Sequence, residues 1–364
     1  MPQPELFIGL MSGTSLDGVD GVLADFGGGQ LKVLAHQSAT FDPTLQGELL
    51  ALNSPGDNEI HRGALAANAL MHVYADVASR LVKQSAGKVT AIGAHGQTIR
   101  HRPQEFDGTG YTTQLCNGAL LAELTGIDVV CDFRTRDVAA GGQGAPLAPF
   151  FHRAMFAKNA ETIGVLNIGG ISNLTVLDAD GTQLGFDCGP GNGLMDAWVQ
   201  QHQGKAFDDG GKWAASGRAD PLLLGKMLAQ PYFSKSPPKS TGRDLFNAQW
   251  LQQFGVTSLK AEDVQSTLAE LTATACATDA SRYGLDRLIV CGGGALNTHL
   301  MNRLRARLPG VDVVASDAAG LPPLQVEATA FAWLARKCIL REKLELTSTT
   351  GARGARVLGA IYPA

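Results

Sequence analysis

Short apolar runs separated by glycine-containing polar turns organise the first 135 residues of the chain. Such runs are typical of strands, and small or apolar residues repeating at helical spacing are typical of helices. A charged turn at 132–137 is followed by a Gly- and Pro-rich stretch, 139–149, predicted to cross between two domains. The pattern predicts strands at 6–11, 19–26, 31–39, 89–94 and 127–131 and helices at 60–84 and 118–124.

The second half of the chain opens in the same way as the first. Residues 162–192 have the pattern strand, glycine-rich turn, strand, tight Asp180-Gly181 turn and strand. Self-similarity at half the chain length indicates two related halves. Since predicted strands and helices alternate in each half, both are expected to be α/β. Beyond a polar region at 203–245, the further predictions are helices at about 194–202, 264–283 and 327–343 and strands at 288–290 and 311–315.

Composition narrows the classes of function. A length of 364 residues is typical of two domains. The net charge of −4 gives no basic face for nucleic acid or an anionic membrane, and no apolar run is long enough to span a bilayer. The six cysteines are scattered without a Cys-x-x-Cys pair, which indicates reduced, buried thiols. With no basic signal segment at the N-terminus, we expect a soluble cytoplasmic protein.

Three glycine-rich turns each follow an apolar strand: residues 12–18, Gly169-Gly170 and Gly292-Gly293-Gly294. Glycine lets backbone N–H groups approach an anion closely, and Ser or Thr hydroxyls add donors. One such turn is more often only a hairpin, but three in one chain, two of them at equivalent places of a repeat, indicate nucleotide binding. A Walker A loop is absent because each Gly-Lys pair is followed by Val, Ala, Trp or Met, and the zincin and α/β-hydrolase motifs are absent too.

This combination resembles the superfamily of sugar kinases, Hsp70 and actin, and longer motifs are similar to the anhydro-N-acetylmuramic acid kinase family. The motifs are GLMSGTSLDGVD, HGQTIRH, CDFRTRDVAAGGQGAPL, LNIGGISN, FDCGPGN, PKSTGR and VCGGGALN, and the resemblance runs from Ile8 to Tyr362. It implies an α/β fold of two related RNase H-like halves with a nucleotide cleft between them, as in actin-like ATPases. Domain I would be 1–135, completed by the C-terminal helix at 326–364, and domain II would be 136–325.

The resemblance also implies an activity: ATP and water open the 1,6-anhydro ring of anhydro-N-acetylmuramic acid, and O6 is phosphorylated to give N-acetylmuramic acid 6-phosphate. The context would be peptidoglycan (murein) recycling by a cytoplasmic homodimer. Asp17 and Asp20 would lie near the Mg²⁺ that ATP brings, because Mg²⁺ prefers one or two carboxylates with phosphates and waters. Ser12, Thr14 and Ser15 would be donors to phosphate. The expected ATP-binding residues are Gly13, Thr14, Ser15, Leu16, Asp17, Gly18, Val19, Asp20, Gly169, Gly170, Gly292, Gly293 and Gly294.

Opening the ring needs a general base for the attacking water, and the family's base falls in the FDCGPGN motif, at Asp187. The sugar would be bound by His95, Gln97, Thr98, Asp132, Arg134 and Glu327. Taken alone, several of these have simpler interpretations. Asp187 suits a helix cap, His95 a core histidine, and Asp132 with Arg134 a loop ion pair. Glu327 suits the N-terminus of the last helix, where an acid is favoured by the helix dipole.

Two other interpretations remain open. One is a phosphatase or an ordinary hexose kinase of the same fold, whose products need no water. The other is a non-enzymatic actin-like or chaperone ATPase, which would be indifferent to sugars. The basic segment 239–243, Lys-Ser-Thr-Gly-Arg, suits either a loop over the nucleotide or a solvated surface turn.

Overall fold

Two units, each built around one main sheet, make up the part of the chain that the computed structural model describes, residues 4–13, 16–29, 31–242 and 244–364. The first unit comprises the described residues up to Phe151 together with Gln325–Ala364, and the second comprises His152–Leu324. The strands are β1 (Leu6–Met11), β2 (Gly18–Asp25), β3 (Lys32–Thr40), β4 (Val89–Ala94), β5 (Gln97–Pro103), β6 (Gly110–Leu115), β7 (Val129–Cys131), β8 (Ile163–Ile168), β9 (Ile171–Leu177), β10 (Gln183–Pro190), β11 (Arg287–Cys291), β12 (Asp312–Ala315) and β13 (Ala360–Tyr362).

The helices vary from single turns to seven turns, and the division between the units falls inside the fifth of them. They are α1 (Pro43–Ala51), α2 (Glu59–Val82), α3 (Gly118–Thr125), α4 (Thr135–Ala139), α5 (Ala148–Phe156), α6 (Gly193–Gln203), α7 (Lys212–Ser216), α8 (Pro221–Leu228), α9 (Ala248–Gln252), α10 (Ala261–Ala280), α11 (Thr298–Arg307), α12 (Val326–Ile339) and α13 (Thr347–Thr350). No helix within the described residues is long and apolar enough to cross a membrane.

The two main sheets have the same order over five strands when each is read from the third strand of its meander, β3 or β10. In the first unit the order is β13-β7-β4-β1-β2-β3, and in the second it is β10-β9-β8-β11-β12. Each begins with a three-stranded antiparallel meander, β1-β2-β3 or β8-β9-β10. In each, the first strand of the meander then pairs in parallel with a later strand, β4 or β11. The prediction of two related α/β halves is therefore confirmed.

Helices α2 and α12 cover opposite faces of the first sheet. Leu10 of β1 belongs to the buried cluster formed with α2, which includes Leu70, Met71 and Tyr74. Its neighbour Gly9 points the other way, because side chains alternate along a strand. A Cβ at Gly9 would overlap the carbonyl oxygen of Ala328 in α12, and one at Gly93 of β4 would overlap that of Phe331. These two glycines let α12 lie directly on the sheet.

The core of the second unit is arranged around α10. This helix is buried on nearly all sides, polar residues included. Its Glu270 is satisfied by the guanidinium groups of Arg303 and Arg307 on α11. Its Asp279 forms an ion pair with Lys239. Charges this deep in a protein are retained only with such partners. All six cysteines of the chain are free thiols, five of them buried.

The structure differs from the sequence-based predictions in several elements and at one domain boundary. Helix α1 and the β5–β6 hairpin were not predicted, and the region 203–245 contains α7 and α8. The first unit also extends to Phe151, beyond the expected boundary at residue 135. The stretch 139–149 belongs to it because the Gln143 amide donates to the Thr350 carbonyl, while the Thr350 hydroxyl donates to buried Asp137.

Candidate functional site

The turn between β1 and β2 is held at its start by the core of the first unit. The Ser12 hydroxyl donates to the Gly96 carbonyl at 3.0 Å and accepts from the Tyr74 phenol at 2.8 Å. Further along, Leu16 has a left-handed φ of 57°, and its carbonyl accepts from the Gln46 side chain at 2.8 Å. Thr14 and Ser15, expected to bind ATP, lie outside the described residues. Tyr74 was missed by the sequence analysis because it is 62 residues from Ser12.

Three residues of this turn that are expected to contact the nucleotide can do so only through their backbone. Val19 is buried in the sheet, and Gly18 and Gly13 have no side chain. Asp17 and Asp20 both have exposed carboxylates. Asp20 forms an ion pair with His36 across the β2–β3 pair, with Oδ1 3.1 Å from Nε2.

The imidazole of His95 links this turn to Arg134. Its Nδ1 lies 3.1 Å from the Ser12 carbonyl and its Nε2 3.1 Å from Nη2 of Arg134. A carbonyl only accepts and a guanidinium only donates, so Nδ1 carries the proton and Nε2 is the acceptor. Burial, with the nearby Arg134 charge, lowers the pKa of His95 to about 3. The ring is therefore neutral at any physiological pH, and both its nitrogens are used within the protein.

Arg134 is the cation of this group. Its Nη1 donates to the Gly144 carbonyl at 2.9 Å, and its Nε is buried with no hydrogen-bond partner among the described residues. Burial lowers the pKa of Arg134 to about 10, although the acidic groups of Glu327 and Asp137 oppose that shift. The side chain thus stays charged at neutral pH and retains a donor for a further partner.

Asp132 and Glu327 are exposed, and among the described residues Asp132 forms no ion pair with Arg134. Asp132 has a φ of 55°, and its carboxylate accepts from the Thr135 amide at 3.4 Å. Arg134 is directed to His95 instead. Glu327 occupies the first turn of α12, and its charge acts on Arg134.

Gln97 and Thr98 begin β5. The Gln97 amide nitrogen donates to the Gly13 carbonyl at 3.1 Å, so it supports the same turn as His95. Its Oε1 is buried without a hydrogen-bond partner among the residues described. The Thr98 hydroxyl accepts from Gln114 at 3.3 Å. Buried polar atoms without a hydrogen-bond partner, such as these on Gln97 and Arg134, are uncommon in folded proteins. They are typical of a site that binds a polar ligand.

In the second unit, the two other glycine turns come together at the ends of β8 and β11. These strands run parallel, with Asn167 opposite Cys291, so both turns leave the same edge of the sheet. The carbonyls of Gly169 and Gly170 accept from the amides at 191–193, where β10 leads into α6. A Cβ at Gly292 would overlap Asn167, and one at Gly293 would lie 3.3 Å from the Asn192 amide nitrogen. The sequence placed Gly169, Gly170 and Gly292–Gly294 in separate motifs, and the structure brings them together.

Asp187 lies on β10 beside an irregularity in the pairing with β9. Asp187 is opposite Asn173, but Gly189 is opposite Ser172, so Cys188 is an extra residue. A bulge of this kind re-aims the neighbouring side chain and is frequent at active sites. The backbone of Asp187 is fixed at both ends, since its amide donates to the Lys239 carbonyl at 3.1 Å and its carbonyl accepts from the Tyr232 phenol at 2.8 Å.

The carboxylate of Asp187 has an unusual proton affinity. Burial raises its pKa to about 6, against the opposing effects of the Thr241 amide, which donates to Oδ2 at 3.0 Å, and of the Lys239 charge. A carboxyl with this pKa is largely ionised at neutral pH but holds a proton much better than an exposed aspartate does. Such a value is what a general base needs.

The described part of the basic segment, 239–242, is only partly solvated. Lys239 is buried, and only its neighbours Ser240, Thr241 and Gly242 reach partial or full exposure. Arg243 lies outside the described residues. Thr241 and Tyr232, both bonded to Asp187, were missed by the sequence analysis, because their roles depend on contacts 54 and 45 residues away.

Comparisons with known proteins agree on one family. The sequence model of the family described as anhydro-N-acetylmuramic acid kinase matches residues 5–364. The chain is 64% identical over 372 residues to the anhydro-N-acetylmuramic acid kinase of Variovorax paradoxus (strain S110), with 99% of each chain covered. It is 59% identical over 389 residues to that of Albidiferax ferrireducens, covering 99% of this chain and 100% of the relative.

Among solved structures, the chain is similar to a ROK family glucokinase from Streptomyces griseus in complex with glucose and AMPPNP. The identity is 15% and the TM-score 0.43, with 91% of this chain and 99% of that chain covered. The family match spans nearly all of the chain, and both named relatives are more than half identical to it over almost their full lengths. The chain therefore belongs to the anhydro-N-acetylmuramic acid kinase family and is a kinase.

Proposed function

We propose that this kinase uses ATP and one water molecule to open the 1,6-anhydro ring of anhydro-N-acetylmuramic acid and to phosphorylate O6. The product is N-acetylmuramic acid 6-phosphate, and the role is peptidoglycan recycling in the cytoplasm, carried out by a homodimer. The names of the relatives support the sugar. The observation that carries the chemistry is the half-buried carboxylate of Asp187, whose pKa is raised to about 6.

The reaction joins two bond changes at the sugar. The water oxygen bonds to the anomeric carbon C1 as the C1–O6 bond breaks, and O6 bonds to the γ-phosphorus of ATP as ADP leaves. Neutral water is a poor nucleophile, so its proton must be removed as it attacks. Asp187 accepts this proton through the carboxylate oxygen that the Thr241 amide does not hold. A positioned base of this kind contributes roughly 10²- to 10⁴-fold to the rate.

ATP is bound by the glycine turns of each unit. Residues 13–20 bind its phosphates, and the backbone amides of Gly169 and Gly170 do the same, because such groups favour anions. Gly292–Gly294 bind the adenosine portion. Asp17 and Asp20 present exposed carboxylates beside the first turn and fit Mg²⁺, which takes one or two carboxylates with phosphates and waters. When bound, Mg²⁺ neutralises charge on the transferred phosphoryl group.

The sugar is bound by Arg134, Asp132, Glu327 and Thr98. The buried Nε of Arg134 can donate to a hydroxyl or carboxylate of the sugar, and the buried Oε1 of Gln97 can accept from a hydroxyl of the sugar. His95 acts one step behind, since both of its ring nitrogens are occupied by Ser12 and Arg134. It is a positioning residue for the site.

The test is ADP release measured against a panel of amino sugars with and without the anhydro bridge. The proposal predicts turnover only with the bridged sugar, and loss of at least about 10²-fold in kcat for Asp187→Asn. Asp180→Asn, in the exposed turn between β9 and β10, is the matched control and should keep wild-type activity. Equal turnover with unbridged hexoses would indicate an ordinary hexose kinase, and ADP release without any sugar an ATPase.

A further inference from the structure

A buried ion pair lies immediately behind Asp187. Nζ of Lys239 is 2.7 Å from Oδ2 of Asp279, an ionic contact without the directionality of a hydrogen bond, and the two side chains are only 2% and 3% exposed. Burying two charges is costly, and such a pair adds little to stability compared with apolar residues of the same size. Its presence therefore calls for another explanation.

The position of Asp279 strengthens this point. It lies in the last turn of α10, which ends at Ala280. An acid is disfavoured at a helix C-terminus because the helix dipole is negative there. Neither the stability of α10 nor the general energetics of burial accounts for a carboxylate at this place.

Lys239 is linked to Asp187 directly through its backbone and indirectly through two aromatic rings. Its carbonyl accepts from the Asp187 amide at 3.1 Å. Its ammonium lies 5.2 Å from the ring centre of Tyr232, whose phenol donates to the Asp187 carbonyl. It also lies 5.8 Å from the ring centre of Phe186, the residue before Asp187. Two residues further on, the Thr241 amide donates to the Asp187 carboxylate.

The segment 235–242 that carries these contacts has no helix or strand of its own. Its attachment to the core therefore depends on individual contacts, and Lys239 is the buried one among its charged members. The ion pair anchors the segment to α10, a helix that is buried on nearly all sides.

We propose that Lys239 and Asp279 form a positioning pair for Asp187, which fixes the segment that holds the Asp187 carboxylate and sets the charge facing it. This inference rests on the proposed role of Asp187 as the base. Asp279 holds Lys239 in place, and Lys239 in turn holds Asp187. Neither residue touches the substrate.

The charges around Asp187 give the pair a measurable signature. The groups that face it are Lys239 and the Tyr232 phenol, and behind them Asp279, Arg282, Cys188 and Tyr283. Burial raises the pKa of Asp187 and the Lys239 cation lowers it. Loss of the lysine charge must therefore raise that pKa further. Loss of the Asp279 carboxylate leaves buried Lys239 without its partner, so the lysine faces Asp187 less effectively and the pKa of Asp187 must rise as well.

The experiment compares the pH dependence of kcat, at saturating ATP and anhydro sugar, in Lys239→Met, Asp279→Asn and the double variant. The wild type should lose activity as pH falls through about 6. For Lys239→Met and for the double variant, the midpoint should rise by about one pH unit, a loss of about fivefold at pH 6 that approaches tenfold at lower pH. Asp279→Asn should move it in the same direction, because the lysine loses its partner. The double variant has no unpaired buried charge, so it separates positioning from folding.

The matched control is Glu270→Gln, which disrupts another buried ionic contact of α10, the one with Arg303 and Arg307. It should leave the midpoint where it is in the wild type. Midpoints that coincide in all variants, with activity reduced only in proportion to the folded fraction measured by circular dichroism, would overturn the proposal. Asp187→Asn is assayed in parallel. If it retains turnover, the proposed function itself fails, whereas its inactivity beside unmoved midpoints defeats only the positioning pair.

Discussion

At the scale of single residues, His95 shows how one side chain supports two parts of a site. Its ring is buried and neutral, with a proton on Nδ1 for the Ser12 carbonyl and a lone pair on Nε2 for Arg134. Two shorter side chains divide these roles. The amide nitrogen of Asn reaches the position of Nδ1, and the amide oxygen of Gln reaches that of Nε2.

We therefore expect opposite effects from two substitutions of His95. His95→Asn keeps the bond to Ser12 and loses the acceptor for Arg134, so the KM for the sugar should rise while the KM for ATP changes little. His95→Gln should do the reverse. Each lost hydrogen bond is worth about 0.5–1.5 kcal/mol, or roughly 2- to 12-fold in KM. Steady-state kinetics with each substrate varied checks this, and parallel changes in both constants for both variants would contradict it.

The buried charge of Asp187 should lower the free energy of unfolding at neutral pH. A carboxyl whose pKa is raised to about 6 in the folded state contributes stability below its unfolded pKa, and that contribution is lost as pH rises through about 6. Asp187→Asn should then raise the free energy of unfolding at pH 7.5 by on the order of 1–3 kcal/mol, with little difference at pH 4.

Urea unfolding at the two pH values measures this effect. Asp180→Asn is again the control, because Asp180 is exposed and hydrogen bonds from the Thr182 backbone amide and side chain hold its pKa below the ordinary value. A gain in Asp180→Asn equal to that in Asp187→Asn, or no gain in Asp187→Asn at pH 7.5, would show that burial of the Asp187 charge carries no cost.

At the scale of elements, the close approach of α12 to the first sheet positions Glu327. Gly9 and Gly93 are the two places where the backbone of α12 meets the backbone of the sheet. The contact also brings Phe331 onto His95, with ring centres 4.7 Å apart. The helix thus holds Glu327 and the His95 ring in a fixed relation to Arg134.

Gly93→Ala should destabilise the first unit. The added methyl would overlap the backbone of Phe331, which a rotamer change cannot relieve, and overpacking of this kind costs typically about 1–3 kcal/mol or more. Gly47→Ala in α1, where an added methyl meets nothing within 4 Å, should instead stabilise by up to about 1 kcal/mol. Thermal melts of the two variants give the comparison, and equal melting temperatures would refute the close-packing argument.

The sequence predicted the short apolar strands but not every apolar helix, since α8 lies within a region that is polar as a whole. β1 and β4 were predicted with their observed bounds, because each is a short apolar run between polar turns. The β5–β6 hairpin escaped because its Arg100, His101 and Arg102 give no alternation of apolar residues. The burial of Lys239 was not predicted for another reason. Its burial depends on Asp279, 40 positions later in the chain, and no local pattern records that partner.

At the scale of the whole molecule, each unit buries one neutral histidine. Burial lowers the pKa of His95 in the first unit and of His152 in the second to about 3. Such a group contributes full stability above its unfolded pKa, about 6.5, and loses it as pH falls toward the folded value. As pH falls below 6.5, each histidine therefore lowers the free energy of unfolding by about 1.4 kcal/mol per pH unit. As pH falls from about 6 to 4, Asp187 raises the free energy of unfolding by a similar amount per unit.

The protein should therefore be less stable at pH 5 than at pH 7, by on the order of 2–3 kcal/mol after these opposing effects are combined. Urea midpoints between pH 4.5 and 8 measure this dependence. His152→Gln should flatten the profile of the second unit, since it removes the titrating group near Thr175. A midpoint that does not change between pH 7 and 5 would contradict the account.

The central claim is that water activated by Asp187 attacks the anomeric carbon of an anhydro sugar while O6 takes the phosphoryl group. Turnover in water labelled with heavy oxygen tests it most directly, with the position of the label read by mass spectrometry and NMR. We expect one labelled oxygen on C1 of the product and none in the transferred phosphoryl group. A label in free phosphate, or a sugar phosphate without label at C1, would contradict it.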